Sequence, residues 1–219
     1  MNCLYTLNIK NKQGFNTAFV SDASRKSFIS ACHRWGCNYA EINHDLNPDD
    51  KICNWGKILG PKLLCGYEKL LYLDGDMMIS DHAPNPFDLC TEVDTMYAVK
   101  DAQGVNDGNP IWRDCIYLPK MDDIIVKYPT FTKPALDQYF NTGFMLFNNN
   151  EIAREAFDIV GHNRSFESPT TYDQTVINMI IHNTMKVVML PERWNYIVWS
   201  READPNAYIN HFCHSGARA

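Results

Sequence analysis

The chain has 219 residues, 45% of them hydrophobic and 21% charged, with a formal net charge of −6 at pH 7. That length is enough for one domain with a continuous core. The acidic balance argues against a broad nucleic-acid-binding face, which needs clustered basic residues, but leaves room for a small phosphate site built on a cation or two and a metal.

No apolar run reaches the roughly 18–20 residues of a transmembrane segment. The opening MNCLYTLNIK is too polar and too short for a signal peptide and reads as a first strand over residues 2–9. Ser21 is placed to N-cap a helix whose apolar positions Phe28, Ile29, Ala31, Cys32 and Trp35 fall at helical spacing, with Gly36 ending it. A short strand over 39–42 and a helix over 55–65, stopped by Gly66, follow. Residues 69–73 form a buried strand, and 95–99 and 143–147 two more. Residues 103–134 carry several glycines and prolines and read as a loop-rich insertion or lid facing substrate. Helices over 152–160 and 173–182 and a late strand over 186–190 complete the order. Strands alternating with helices predict an α/β fold with parallel strands at the sheet centre, where ligands gather at the carboxyl ends of strands.

Eight cysteines (Cys3, Cys32, Cys37, Cys53, Cys65, Cys90, Cys115 and Cys213) are scattered with no CxxC pair. Reduced thiols in a cytoplasmic compartment follow, and a zinc site does not.

The chemistry concentrates in LLYLDGDMMIS, residues 70–80, where an apolar run meets two carboxylates one position apart. With strand geometry continued through Gly75, Asp74 and Asp76 point to the same side, and the glycine allows close approach of backbone or ligand. Two hard oxygen donors at a strand end suit Mg²⁺ or Mn²⁺ with phosphate oxygens completing the shell. A calcium loop is excluded, because Met78 and Ile79 stand where an EF-hand needs an oxygen ligand and a glycine. Taken alone, a D-x-D tripeptide is a common accident in a chain with 26 acidic residues.

Further segments carry a resemblance. YEKLLYLDGDMMI (67–79), YFNTGFMLFNN (139–149), YDQTVINMII (172–181), VVMLPERWNYI (187–197) and INHFCHSGAR (209–218) resemble, in order, the blocks of nucleotide-sugar glycosyltransferases of the GT-A fold, family-8 type, the group of glycogenin and the lipopolysaccharide galactosyltransferases. The resemblance implies a GT-A, Rossmann-like single domain over 1–219 with a mixed, mainly parallel central sheet flanked by helices. Its nucleotide-binding part would be about 1–100, and its donor-sugar and acceptor part about 101–219. It implies transfer of a hexose from a UDP-sugar, UDP-glucose or UDP-galactose, to a glycan or glycoprotein acceptor, with retention of configuration. It also implies Mn²⁺ (or Mg²⁺) held by Asp74, Asp76 and His211.

The resemblance further implies that Asn141 and Gly143 line the donor sugar, and that Asp173 and Gln174 stand near the anomeric carbon as the catalytic pair. By position alone, at the end of the first strand, Thr6, Leu7 and Asn8 would contact the uracil and ribose, and Gly75 would let the donor approach the aspartates. The terminal block departs from the family: HFCHSGARA has an extra residue before its glycine and lacks the Lys-Pro-Trp ending. Arg218 would replace the usual lysine as diphosphate clamp, with His214 as a second phosphate contact. The early stop fits a catalytic domain cut from a longer protein, with large-virus and bacterial glycan enzymes as candidate sources. An inverting enzyme would instead need a base such as Asp137 or Glu192.

Two other readings compete. A haloacid-dehalogenase-type phosphohydrolase also ends an apolar strand in Asp-x-Asp, but it begins with that strand and needs a later acidic metal pair, for which Asp122 and Asp123 are poorly set. A non-catalytic sugar-nucleotide-binding module would keep the ligands without turnover.

Overall fold

The computed structural model describes residues 1–9, 20–43, 54–101, 118–166, 173–198 and 202–212. In chain order the strands are β1 (Asn2–Leu7), β2 (Asn38–Ile42), β3 (Lys69–Leu73), β4 (Met77–Ile79), β5 (Thr95–Lys100), β6 (Phe140–Asn148), β7 (Lys186–Leu190), β8 (Tyr196–Ile197) and β9 (Ile209–His211). The helices are α1 (Asp22–Trp35), α2 (Gly60–Leu63), α3 (Leu118–Lys127), α4 (Glu151–His162) and α5 (Gln174–Thr184), with a 3₁₀ segment at Asn54–Leu59 leading into α2.

Six strands form one sheet in the order β2-β1-β3-β6-β5-β7. β1 pairs in parallel with β2 and β3, and β5 in parallel with β7, while β6 runs antiparallel to both β3 and β5. The sheet is therefore mixed and mainly parallel, as expected, but its one reversed strand lies inside the sheet rather than at an edge. That reversal has a functional consequence: the start of β6 lies beside the carboxyl end of β3.

Side chains alternate between two cores, one on each face. Cys3, Tyr5, Leu70, Tyr72, Met145 and Phe147 pack toward α4 and α5, and Leu4, Leu71, Leu73, Phe144 and Leu146 toward α1 and Trp194. α1 begins and ends as its sequence predicts. Ser21 accepts a hydrogen bond from the Ser24 amide, and Gly36 takes φ +64°, a left-handed turn that glycine adopts without strain.

Two sequence expectations are corrected here. The helix expected over 55–65 is a 3₁₀ segment followed by a single α turn, because Pro61 sits in that turn's start and Gly60 presses on Tyr5. A Cβ at Gly60 would lie 2.2 Å from the Tyr5 ring. Within the expected loop over 103–134, residues 118–127 form a helix, whose Met121 and Ile124 are fully buried and whose Ile125 packs beside them. That spacing of three and four is a helical stripe hidden among charged residues. Residues 102–117 lie outside the described residues.

Candidate active site

β3 ends at Leu73, and the chain turns at once: the Met77 amide donates to the Asp74 carbonyl at 3.2 Å. Strand geometry therefore does not continue through Gly75, which sits half-buried within the turn. The two carboxylates converge because a turn joins β3 to β4, not because of a pleat. β4 pairs antiparallel with β9, setting Met77 opposite His211, and the Phe212 amide donates to the Asp76 carbonyl at 3.0 Å. This small sheet carries a residue from the far end of the chain to the aspartate turn. His211 Nε2 stands 3.2 Å from Asp76 Oδ1 and 3.9 Å from Asp74 Oδ2. One ligand atom from each of Asp74, Asp76 and His211 lies within 4.8 Å of the others.

β6 completes the wall. Leu73 pairs with Phe144, and the Asp74 amide donates to the Gly143 carbonyl at 2.9 Å. On its other side the register slips: Ala98 faces Met145 but Val99 faces Asn141, so β6 bulges over residues 142–144 beside the site. A Cβ on Gly143 would lie 2.7 Å from His211 Cε1, 2.8 Å from Asp74 Oδ2 and 2.8 Å from Asn141 Oδ1. The missing side chain lets Asp74, His211 and Asn141 come together at this point. The Asn141 carbonyl oxygen accepts from the Gly143 amide at 2.9 Å and from Asn195 Nδ2 at 3.0 Å. Asn141's own NH₂ has no partner among the described residues.

Beneath the aspartates lies a buried cation that the sequence reading passed over. Lys57, in the 3₁₀ segment, places its ammonium 3.0 Å from Asp173 Oδ2, 3.6 Å from Asp74 Oδ1 and 3.3 Å from Thr142 Oγ1, over the ring of Tyr72. Its backbone is anchored where the Tyr5 hydroxyl donates to the Lys57 carbonyl at 3.0 Å. Burial pulls the Lys57 ammonium toward neutrality, but Asp173 and Asp74 outweigh it and raise its pKa, so it stays charged. Burial pushes the Asp173 carboxyl up, with Lys57 opposing. The Tyr72 hydroxyl donates to Asp74 Oδ1, a further brace on that carboxylate.

Asp173 and Gln174 open α5. Asp173 makes no capping bond with its side chain and points instead to Lys57, so it does more than favour a helix N-terminus. Gln174 is held at both ends: Oε1 accepts from the Thr142 amide at 3.2 Å, and Nε2 donates to Asp101 Oδ2 at 2.7 Å. Asp101, just past the end of β5, is a second residue that sequence reasoning missed. The signal for it was weaker than at Asp74, because Lys100 separates the apolar part of β5 from the aspartate. For Lys57 the signal was a lone cation in the apolar stretch WGKILG.

Thr6 and Leu7 are sealed within β1, and Asn8 follows at its carboxyl end. Among the described residues the buried oxygens Thr6 Oγ1 and Asn8 Oδ1 have no hydrogen-bond partner, while Asn8 Nδ2 donates to Glu41. Trp194 is buried in the core against Tyr208 and Phe144. Asp137 and Glu192, candidate bases of an inverting enzyme, are exposed on 3₁₀ turns. Asp122 and Asp123 are exposed on α3, where Asp122 pairs with Lys133 at 2.6 Å. That placement removes the acidic pair a haloacid-dehalogenase-type enzyme requires. His214 and Arg218 lie outside the described residues.

Among the described residues no helix is long and apolar enough to cross a membrane. Comparison with curated protein sequences gives no significant match. Among solved structures, a glycosyltransferase involved in the glycosylation of the major capsid of PBCV-1 is similar at TM-score 0.60 and 14% identity, covering 97% of this chain and 93% of that one. The galactosyltransferase LgtC, in complex with donor and acceptor sugar analogues, is similar at 0.55 and 16%, covering 97% and 87%. Mouse xyloside xylosyltransferase 1 gives 0.51 and 14%, covering 98% and 99%. These likenesses are of fold, and the fold is GT-A. The model of glycosyl transferase family 8 matches residues 6–215, nearly the whole chain, and the protein is a glycosyltransferase belonging to that family.

Proposed function

We propose that the protein transfers a hexose from UDP-glucose or UDP-galactose to a glycan or glycoprotein acceptor, retaining the anomeric configuration, with Mn²⁺ (or Mg²⁺) at Asp74, Asp76 and His211. Family membership implies a nucleotide-sugar donor and a glycan acceptor. The observation that carries the metal dependence is the convergence of two carboxylates and one imidazole within 4.8 Å, in a space kept open by Gly143. Two hard oxygens and a borderline nitrogen suit a first-row or alkaline-earth divalent ion. When bound, such an ion supplies Lewis-acid neutralisation of the charge that gathers on a departing diphosphate.

The chain's own residues do the rest. Asn141, its oxygen fixed by Gly143 and Asn195, offers its NH₂ to a sugar hydroxyl. Asp173 and Lys57 set the local field, with Asp173 accepting from sugar hydroxyls. Gln174 Oε1 keeps a second lone pair beyond its bond from Thr142, aimed to stabilise positive charge developing at the anomeric carbon. Asn8, whose Oδ1 has no hydrogen-bond partner among the described residues, serves the uracil and ribose at the end of β1, where Thr6 and Leu7, their side chains buried, offer main-chain groups alone. Gly75 lets the diphosphate approach the aspartate turn, and His214 and Arg218 close on its phosphates. Nucleotide recognition falls to about the first hundred residues and sugar and acceptor recognition to the remainder, both on one sheet. The free thiols Cys3, Cys32, Cys37, Cys65 and Cys90 suit a reducing, cytoplasmic setting.

UDP release measured over a panel of UDP-sugars, with Mn²⁺ and with EDTA, tests this reading. Release that depends on the metal is expected for a UDP-hexose, and Asp76→Asn is expected to abolish Mn²⁺-dependent UDP binding in a calorimetric titration while the far-UV spectrum stays unchanged. Unaltered affinity in that variant would remove Asp76 from the metal site. Tight UDP-sugar binding with no turnover on any acceptor would leave a binding module instead. Anomeric coupling constants of the product sugar decide the stereochemistry.

A further inference from the structure

We propose that Asn195 is a positioning residue that sets the ring tautomer of His211, and so the direction in which that ring offers its lone pair. The proposal deepens the metal-site reading above and takes its purpose from it.

One group in this cluster has a fixed polarity. The Gly143 backbone N–H can only donate, and it points at Asn141 Oδ1 from 2.9 Å. That contact decides which end of the Asn141 amide is oxygen. Asn195 reaches the same oxygen at 3.0 Å and must therefore present its NH₂ to it. Its own oxygen is left facing His211 Nδ1 at 2.9 Å. A carbonyl oxygen only accepts, so Nδ1 carries the proton. In the neutral ring Nε2 then keeps its lone pair, and Nε2 is the nitrogen directed at Asp76 and Asp74.

A fixed sense of hydrogen bonding thus passes from the main chain through two amides to the imidazole. Asn195 and His211 are 1% and 3% exposed, so water does not compete for these bonds. The backbone holds them in register, because Ile197 pairs with His211 and the Val198 amide donates to the His211 carbonyl at 2.8 Å.

The opposite tautomer would aim an N–H at the Asp76 carboxylate. The ring would then close a hydrogen bond across the site and offer a cation nothing. A carboxylate at position 195 would also orient the ring, as such partners commonly do for ligating histidines. It would add a further negative charge to a place already holding Asp74, Asp76 and Asp173. An amide orients without charging, and it also fixes Asn141, so the metal side and the sugar side of the site share one relay.

Ring ¹⁵N spectra of metal-free protein, taken where the ring is neutral and with His211 assigned by its loss in His211→Gln, read the tautomer directly. Calorimetric titration reads the affinity for Mn²⁺. The wild-type ring is expected in the Nδ1–H form. Asn195→Ala should move it toward the Nε2–H form and weaken Mn²⁺ binding about 10- to 100-fold, the usual cost of losing an outer-shell partner. Asn195→Asp, which keeps the acceptor, should keep the Nδ1–H form. If Asn195→Ala does not fold, Asn141→Ala serves: Asn195 is then free to turn its amide, and His211 should show a mixture of tautomers. A wild-type ring in the Nδ1–H form that takes up no Mn²⁺ would support the tautomer assignment and overturn the metal reading beneath it. A wild-type ring in the Nε2–H form, or a ring unchanged in both Asn195→Ala and Asn141→Ala, would overturn the proposal.

Discussion

Two charge clusters in this molecule use the same chemistry to different ends. Between α1 and β2, Arg25 grips Glu41 with Nε at 2.6 Å and a second nitrogen at 3.3 Å, and reaches Asp22 at 3.1 Å. Arg25 and Glu41 are 27% and 19% exposed, and Asp22 is nearly bare. Beneath the aspartate turn, Lys57 and Asp173 form their pair at 3% exposure each. The first cluster fastens a helix to an edge strand, a task that water-screened pairs perform at a gain of about 1 kcal/mol or less. The second takes two ions out of water at a cost of several kcal/mol, which their attraction only partly offsets. Packing alone would favour apolar residues there. A buried pair that also touches Asp74 belongs to the chemistry of the site, and stability alone does not account for it.

The sharpest way to break that contrast is Lys57→Met, which leaves Asp173 and Asp74 facing each other without a cation. Loss of about 3–5 kcal/mol in a urea melt is expected, as for other buried pairs stripped of one partner. The double variant Lys57→Met/Asp173→Leu should recover most of that stability while transferase activity stays lost. Recovery of activity along with stability would make the pair a packing device after all.

A smaller effect separates charge from geometry within the inner cluster. Gln174 is neutral, yet both ends of its amide are fixed by Thr142 and Asp101. Gln174→Ala is expected to lower kcat on the order of 10²-fold, the size of losing one preorganised dipole in a water-poor site. The donor KM should change by less than about threefold. Steady-state rates over a range of UDP-sugar concentrations check this, and equal large losses in KM would make Gln174 a binding residue.

How much of this was legible in the sequence follows from the range of each interaction. The caps of α1 were readable because Ser21 and Gly36 act on neighbours within one turn. The buried strands were readable because β3 is an unbroken run of buried apolar and aromatic residues after Lys69. The aspartate pair stood out for the same reason, although the turn that aims it did not. Lys57, Asp101 and Asn195 gained their roles only through tertiary contacts: Lys57 with Asp173, Asp101 with Gln174, and Asn195 with His211. A lone lysine in the apolar stretch WGKILG hints at burial, but nothing local reports its partners. Nor does the D-x-D spacing reveal that β6 runs backwards and delivers Gly143 to the same spot. The motif blocks signalled that these segments meet, and the hydrogen bonds between them had to be seen.

The outer cluster gives the smallest effect and a pH signature to identify it. Burial raises the Glu41 carboxyl, but Arg25, Tyr39 and Asn8 together hold it below its ordinary value of 4.5. A carboxyl depressed by folding contributes stability above its unfolded pKa, and loses that contribution as pH falls through the lower folded value. Glu41→Gln keeps the outline of the side chain, removes the charge and turns one of the two acceptor oxygens, both of which take bonds from Arg25, into a donor. It should therefore cost about 1 kcal/mol near neutral pH, with the gap from wild type narrowing once pH drops below about 4.5. Urea midpoints measured at neutral and acid pH check this. A gap that stays constant across that range would mean the carboxylate's hydrogen-bonding shape, and not its charge, fastens α1 to β2, and the two clusters would then differ in kind as well as in depth.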